Sequence, residues 1–185
     1  SFRRNILPEL RISSDWGIEI GILSEMQRSF SPQNICQVDL ADTYDHKHQN
    51  LSVNDEKQGL SRMSIDIIKT FIKKLATQGH SFSKEQFRSL KATYYRAALD
   101  LIDAYRNDAQ MNGLKFDSHT EEKAVELFAA NIMKAGDAFY QNPMDTPFIP
   151  TWSRVKSAIP DFLSRLKEVV NAVSYTHLTL PTNGT

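Results

Sequence analysis

Two histidines separated by one lysine, in the stretch YDHKHQ (Tyr44 to Gln49), are the densest group of potential ligands in the chain. Residues two apart in extended backbone point to the same side, so His46 and His48 could grip one metal ion or one phosphate, with Lys47 facing away unless the loop turns. Neutral imidazole suits divalent transition ions, but two imidazoles do not complete a coordination sphere; carboxylates such as Asp39 or Asp45 would have to join them. A polar surface turn of the same composition needs no ligand, so metal site, phosphate-binding loop and plain turn all stay open on these residues alone. The second candidate is GIEIG, Gly17 to Gly21, which flanks Glu19 with glycines that would let backbone approach a ligand closely. Glu19 would stand in the first turn of a helix, where the macrodipole favours a carboxylate, and the plainer reading is a solvated first-turn glutamate.

These residues need elements to hold them. Ser13, Ser14 or Asp15 can cap a helix over Ile18 to Ser29, with Ile18, Ile22, Leu23, Met26 and Phe30 at helical spacing. Ser31-Pro32 stops it, and NICQVDL alternates and is rich in β-branched residues, which predicts a strand ending at Leu40, just before the histidines. A polar loop, Asn50 to Gly59, leads to an amphipathic helix with Met63, Ile67, Ile68, Phe71 and Leu75 on one side and Gly79 as its stop. Ahead of all this, RRNILPEL allows one or two helical turns, with Pro8 near a first turn.

Beyond Ser83 the texture is helical. Ser83 and Gln86 have the spacing of a capping box for a helix running to Gly113, periodic through Phe87, Leu90, Tyr94, Ala98, Leu101 and Tyr105. A second helix is expected over about Thr120 to Tyr140, and a third, from Thr151, should kink or divide at Pro160. The aromatic pairs Tyr94-Tyr95 and Phe139-Tyr140 fall on these stripes and read as packing rather than ligand stacking. The expected organisation is an α/β segment over residues 1–79 followed by an all-α helical segment over 80–172.

Composition narrows the partners. Lysine plus arginine (22) balances aspartate plus glutamate (22) in 185 residues, so no overall field favours nucleic acid or an anionic membrane surface. The single cysteine, Cys36, can build neither a disulfide framework nor a multi-cysteine zinc site, which fits a reducing, cytoplasmic setting. No apolar run approaches the roughly 20 residues that a spanning helix needs. The chain starts without Met in SFRRNILPEL, as if inside a domain, and is read as truncated. Residues 173–185, VSYTHLTLPTNGT, break the composition with a threonine-rich run lacking charge. Val173 to Thr182 is what the triplets GTC TCT TAT ACA CAT CTG ACG CTG CCG ACG encode, a string resembling the transposon-end adapter of fragment-library sequencing. That segment reads as a sequencing-adapter artefact, so His177 enters no site.

The stretch RISSDWGIEIGILSEMQRSFSPQNICQVDLADTYDHKHQNLS resembles the C-terminal part of the catalytic domain of glucosyl-3-phosphoglycerate synthases, retaining GT-A glycosyltransferases that use nucleotide-sugars. The similarity spans about Phe2 to Gly79 and continues more weakly into the helices. Three segments carry it: Gly17 to Gly21 as GxEIG, Gln37 to Leu40 as the strand QVDL, and His46-Lys47 as histidine followed by a basic residue. The resemblance implies that residues 1–79 are the C-terminal part of a GT-A catalytic domain. It implies that His46 helps hold a divalent ion, Mg2+ or Mn2+, on the sugar diphosphate, where a Lewis acid stabilises the leaving group. Glu19 would be the catalytic-site glutamate that orients the transferred glucose, and Gly17, Lys47 and His48 would contact substrate. Some members carry Arg-Asn where Lys47 and His48 stand, and an arginine near Tyr44, so the chain departs from the pattern there. Arg3 and Arg4 begin where an acceptor-site segment would end.

The implied reaction moves glucose from UDP- or GDP-glucose to 3-phosphoglycerate, the implied compartment is cytoplasmic, and the helices would pack on the catalytic domain or on a second subunit, making a homodimer. A GT-A enzyme also needs an Asp-x-Asp motif on a strand in its nucleotide-binding half. No such motif occurs in this chain, since Asp42 to Asp45 (DTYD) has the wrong spacing. The expectation is therefore an inactive piece of an active parent. The rival reading, from a different class, is a non-catalytic helical interaction module in which YDHKHQ is a surface loop; the two differ in whether Glu19 and His46 converge on one cleft.

Overall fold

A computed structural model describes residues 3, 5–38, 49–145 and 148–178, the last five of these without their side chains. Six α-helices lie among them: α1 (Ile18–Ser29), α2 (Gly59–Thr77), α3 (Lys84–Met111), α4 (Ser118–Gln141), α5 (Trp152–Ala158) and α6 (Phe162–Leu178). Short 3-10 turns cover Leu7–Glu9, with Pro8 in the first turn, and Pro32–Asn34. The chain forms two compact bodies, residues 13–148 and residues 1–12 with 149–185.

The larger body is built on α2, α3 and α4. Ser83 opens α3 with a full capping box: its hydroxyl accepts from Gln86 N at 3.2 Å and the Gln86 side chain accepts from Ser83 N at 2.7 Å. These bonds satisfy two backbone donors that a helix start leaves without partners. Asp117 starts α4 by accepting from the His119 and Thr120 amides. The α2 and α3 chains end where Gly79 (φ 88°) and Gly113 (φ 67°) take left-handed backbone that no β-carbon favours. Between the helices lies an apolar core of Ile72, Phe87, Ile132 and Ala135, with Ile65, Ile68, Phe82, Tyr94, Met133 and Phe139 packed against it. Phe87 stacks on Phe82 at 5.5 Å and meets Tyr140 edge-on at 5.9 Å, so the aromatic pairs of the helical half serve packing. Full burial of Phe87 alone contributes about 3 kcal/mol. At the same interface Asn131, wholly buried, donates to Ser64 Oγ at 2.7 Å and to Ser61 O at 3.2 Å, a polar pin between α4 and α2.

The smaller body joins Ile12 and Ile149 in a single antiparallel bridge, with Ile149 N donating to Ile12 O at 2.8 Å. Ser153 hydrogen-bonds Glu9, and Trp152 and Phe162 pack their rings 5.5 Å apart across the break between α5 and α6. That break falls at Ile159 to Asp161, where Pro160 was expected to divide the helix. The helix α6 continues past Ala172 to Leu178, into the segment set apart by composition.

Two expectations differ from the structure. The described part of NICQVDL, Ile35 to Val38, is exposed and carries no strand pairing, and Asn34 belongs to the preceding 3-10 turn. A strand exists only through hydrogen bonds to a neighbour, and the bridge at Ile12 is the sole β pairing among the described residues. Secondly, α2 does not bury only its apolar side. Phe71 is 43% exposed, whereas Lys69, Thr70, Lys73 and Lys74 are buried with Ile72. α1 meets that second face at Thr70 and Lys74, while Lys69 pairs with Asp145.

Candidate active site

Glu19 is placed by α1, and α1 is held by α2. The side chain of Asp15 accepts from Gly17 N at 2.9 Å, turning the backbone into the helix where the N-cap position, Gly17, has no side chain to do so. None of the three cap candidates caps α1, whose N-cap is Gly17: Asp15 holds the turn before it, and Ser13 turns inward to share a hydrogen bond with Thr70 Oγ1 at 3.3 Å. Thr70 Oγ1 also lies 3.4 Å from Asp15 Oδ1. One hydroxyl on α2 thus touches both residues that lead into α1.

The close approach that glycine permits at position 17 is made to α2. A β-carbon there would lie 2.0 Å from Thr70 Oγ1 and 2.4 Å from Thr70 Cβ, and one at Gly21 would meet Ser13 Oγ at 3.3 Å. One turn further on, Glu25 is buried and pairs with Lys74 of α2 and, at 2.8 Å, with Arg28. The face that α1 buries is therefore Gly17, Gly21 and Glu25, not the expected apolar stripe, and Ile18 and Leu23 of that stripe are exposed. Glu19, two residues on from Gly17 and roughly 200° round the helix, projects from the other side and is exposed.

Beneath α1 the charges are mixed. Lys69 donates to Asp145 Oδ2 at 2.6 Å, and this hydrogen bond and the nearby ammonium hold the Asp145 carboxyl below its ordinary range. Lys74 sits 4.3 Å over the ring of Phe148. Burial pushes the Asp66 carboxyl up, reinforced by Asp15, while Arg62 and Lys69 pull the other way. Burial and the neighbouring Lys69 push the Lys73 ammonium down, against the pull of Asp15, Asp145 and Asp66. These groups are occupied with one another. The carboxylate turned to solvent at the head of α1 is Glu19, which can accept hydrogen bonds from a polyhydroxylated ligand.

His46, Lys47 and His48, together with Asp39 and Asp45, lie outside the described residues, so the convergence of His46 with Glu19 lies outside them too. Among the described residues no group of three histidine, cysteine, aspartate or glutamate side chains could hold a metal ion. Cys36 is exposed and free. Sequence reasoning passed over Thr70, Glu25 and Lys74. The signal for them was a lysine and threonine set at positions 69, 70, 73 and 74, one helical turn apart, opposite a helix whose every fourth residue is Gly, Gly, Glu.

No protein-family model matches the chain, and no solved structure matches it. Two curated proteins do. The glucosyl-3-phosphoglycerate synthase of Persephonella marina is 39% identical over 170 residues, covering 92% of this chain and 42% of its own length. That of Methanococcoides burtonii is 41% identical over 160 residues, covering 86% of this chain and 39% of its own length. Both relatives carry the name of one class, a synthase of glucosyl-3-phosphoglycerate. The chain is similar to these glucosyl-3-phosphoglycerate synthases along most of its own length, and it spans about two-fifths of the length of the curated relatives it matches. Among the described residues no helix is long and apolar enough to cross a membrane.

Proposed function

We propose that the complete protein transfers glucose from a nucleotide-sugar, UDP- or GDP-glucose, to a hydroxyl of 3-phosphoglycerate, releasing the nucleoside diphosphate and retaining the anomeric configuration. The observation that carries this reading is the 39–41% identity to two glucosyl-3-phosphoglycerate synthases along 86–92% of the chain. Residues 1–79 supply the C-terminal part of the α/β GT-A domain and residues 80–172 the all-α helical extension. Strand QVDL would complete its pairing only against sheet contributed from elsewhere in the parent. Glu19, exposed at the head of a helix fixed on α2, accepts hydrogen bonds from the transferred glucose. Gly17, whose bare Cα admits the Thr70 side chain, sets the entry to that helix beside the substrate, and Lys47 and His48 contact diphosphate or acceptor oxygens.

A divalent ion, Mg2+ or Mn2+, would supply Lewis-acid stabilisation of the diphosphate leaving group. His46 contributes one imidazole donor, and carboxylates from elsewhere in the parent would join it. The reaction is cytoplasmic and two copies pair through their helices. Pairing is supported by an apolar groove between α3 and α4, lined by Tyr94, Leu101, Ile102, Tyr105, Val125 and Phe128, where Leu101 is half exposed.

The test is turnover by the full-length protein with UDP- or GDP-glucose, 3-phosphoglycerate and Mg2+, followed by mass spectrometry of the product. His46→Ala is expected to abolish metal-dependent transfer with little loss of folding. No glucosyl-3-phosphoglycerate from either donor, in a folded full-length protein, would leave the non-catalytic helical interaction module as the surviving reading.

A further inference from the structure

Nothing in the reaction as proposed gives a task to the buried hydroxyl of Thr70 and the partly exposed carboxylate of Asp15 beside α1. We propose that Thr70, acting with Asp15, is a positioning residue for Glu19: its hydroxyl and the bare Cα of Gly17 lock the first turn of α1 onto α2 so that the Glu19 carboxylate projects in one fixed direction. The inference rests on the role given to Glu19 above and assigns a further pair of residues to it.

Three observations carry it. The first is connectivity. Thr70 Oγ1 lies 3.3 Å from Ser13 Oγ and 3.4 Å from Asp15 Oδ1, and the same Asp15 oxygen accepts from Gly17 N at 2.9 Å. Only one residue, Ile18, separates Gly17 from Glu19, so a change in the Asp15 turn reaches the glutamate through one stretch of backbone. The second is closeness. The space where a Gly17 side chain would stand is filled by Thr70, with Oγ1, Cβ and Cγ2 at 2.0, 2.4 and 2.9 Å from that point. Gly17 has φ −83° and ψ 8°, a conformation open to any residue, so it is the contact and not the backbone angle that calls for glycine.

The third is burial. Thr70 is 1% exposed and Ser13 6%, so these hydrogen bonds are made away from water, where their geometry is held and their loss is costly. The remaining contacts of α1 do not set the first turn. Glu25 with Lys74 lies two turns away, and Ile18, next to Gly17, is exposed. A carboxylate that must meet a sugar hydroxyl within hydrogen-bond distance gains from such a mount, because a displacement of about 1 Å in a catalytic group can cost a hundredfold in rate. Thr70 itself, buried under α1, touches no substrate.

The test is a double-mutant cycle on the full-length protein, with kcat and the KM values for sugar donor and acceptor as readouts. Thr70→Val keeps the side-chain shape and removes the hydroxyl; Thr70→Ser keeps the hydroxyl. The expected result is a kcat about 10-fold lower in Thr70→Val with the acceptor KM unchanged, and recovery to within about 2-fold in Thr70→Ser. In a Glu19→Gln background Thr70→Val is expected to add no further loss, because a residue acting only through Glu19 has nothing left to position. Should Thr70→Val fail to fold, Asp15→Ala reads the same coupling from the partly exposed side of the network.

Equal losses from Thr70→Val with and without Glu19 would overturn the positioning role while leaving that of Glu19 intact. So would a Thr70→Val enzyme of full activity alongside a crippled Glu19→Gln enzyme. Unchanged turnover in Glu19→Gln would overturn the role of the glutamate itself, and the positioning role with it.

Discussion

Gly17→Ala adds one methyl group at the most crowded point between α1 and α2. The new carbon would lie 2.0 Å from Thr70 Oγ1 and 2.4 Å from Thr70 Cβ, against the 3.4–4 Å of ordinary contact, so the two helices must part by about 1.4 Å or more. Overpacking a tight interface costs about 1–3 kcal/mol. Separating α1 from α2 by that amount also breaks Ser13 to Thr70 and Thr70 to Asp15, each worth about 1 kcal/mol. Together the loss is about 3–5 kcal/mol, with no compensating gain, since alanine is a poorer N-cap residue than glycine. For a chain of this size each kcal/mol moves the melting temperature by about 2–4 °C, so a fall of roughly 6–20 °C is expected by circular dichroism. A Thr70→Ala rescue would not suffice, because Thr70 Cβ is itself only 2.4 Å from the added carbon. Thr70→Gly removes that carbon at about 1 kcal/mol of helix propensity, and the double variant is expected to recover part of the loss. A Gly17→Ala protein within about 0.5 kcal/mol of the unsubstituted one would refute the close approach and the reasoning built on it.

Lys74→Met leaves the buried Glu25 without its ammonium partner and is expected to cost about 3 kcal/mol in urea unfolding, with Arg28 still 2.8 Å away to limit the damage. Adding Glu25→Leu to it should recover most of that loss, and a double variant as unstable as the single would contradict the assignment. Asp66→Asn should stabilise the fold at neutral pH. Burial and Asp15 raise the folded-state pKa of Asp66 above its unfolded value, so its contribution is fully present below the unfolded pKa and is lost as pH rises through the folded one. The advantage of the variant should therefore grow as pH climbs through that window and vanish in acid, and melting curves across pH read it directly. Leu101→Glu places a charge on the half-exposed apolar groove of α3 and α4, and sedimentation should show self-association weakened at least about 10-fold with helicity unchanged.

The helices were legible because their signals are local. A Ser83-Gln86 pair four residues ahead of Phe87's turn, a glycine at 79 and at 113, and a proline at 160 each act within one turn of the chain, and each acts in the structure as its chemistry dictates. The strand was not legible in the same sense. Alternation in NICQVDL describes what a strand face would look like, but pairing is a property of two segments, and the described residues Ile35 to Val38 have none. Burial misled in the other direction. Helical periodicity put Phe71 inside, whereas Phe71 is exposed and Lys69, Lys73 and Lys74 are buried. Long lysine stems carry enough methylene to cover an apolar surface, and a carboxylate at the far end makes an inside position tolerable.

Around Glu19 the same point bears on function. The face that α1 presents to α2 holds two glycines and a glutamate, so little apolar area is buried there and hydrophobic contact alone cannot fix one register of α1 on its neighbour. The contacts that do discriminate are directional: Asp15 to Gly17, Thr70 to Ser13 and Asp15, Glu25 to Lys74. A one-residue slide would lose those made to Thr70 and Lys74 at once, since each depends on a particular donor meeting a particular acceptor. Apolar packing between α2, α3 and α4 can thus stabilise the body without specifying where the carboxylate points. That specification falls to the polar interface, and it follows that substitutions there should damage the geometry of Glu19 out of proportion to their effect on unfolding.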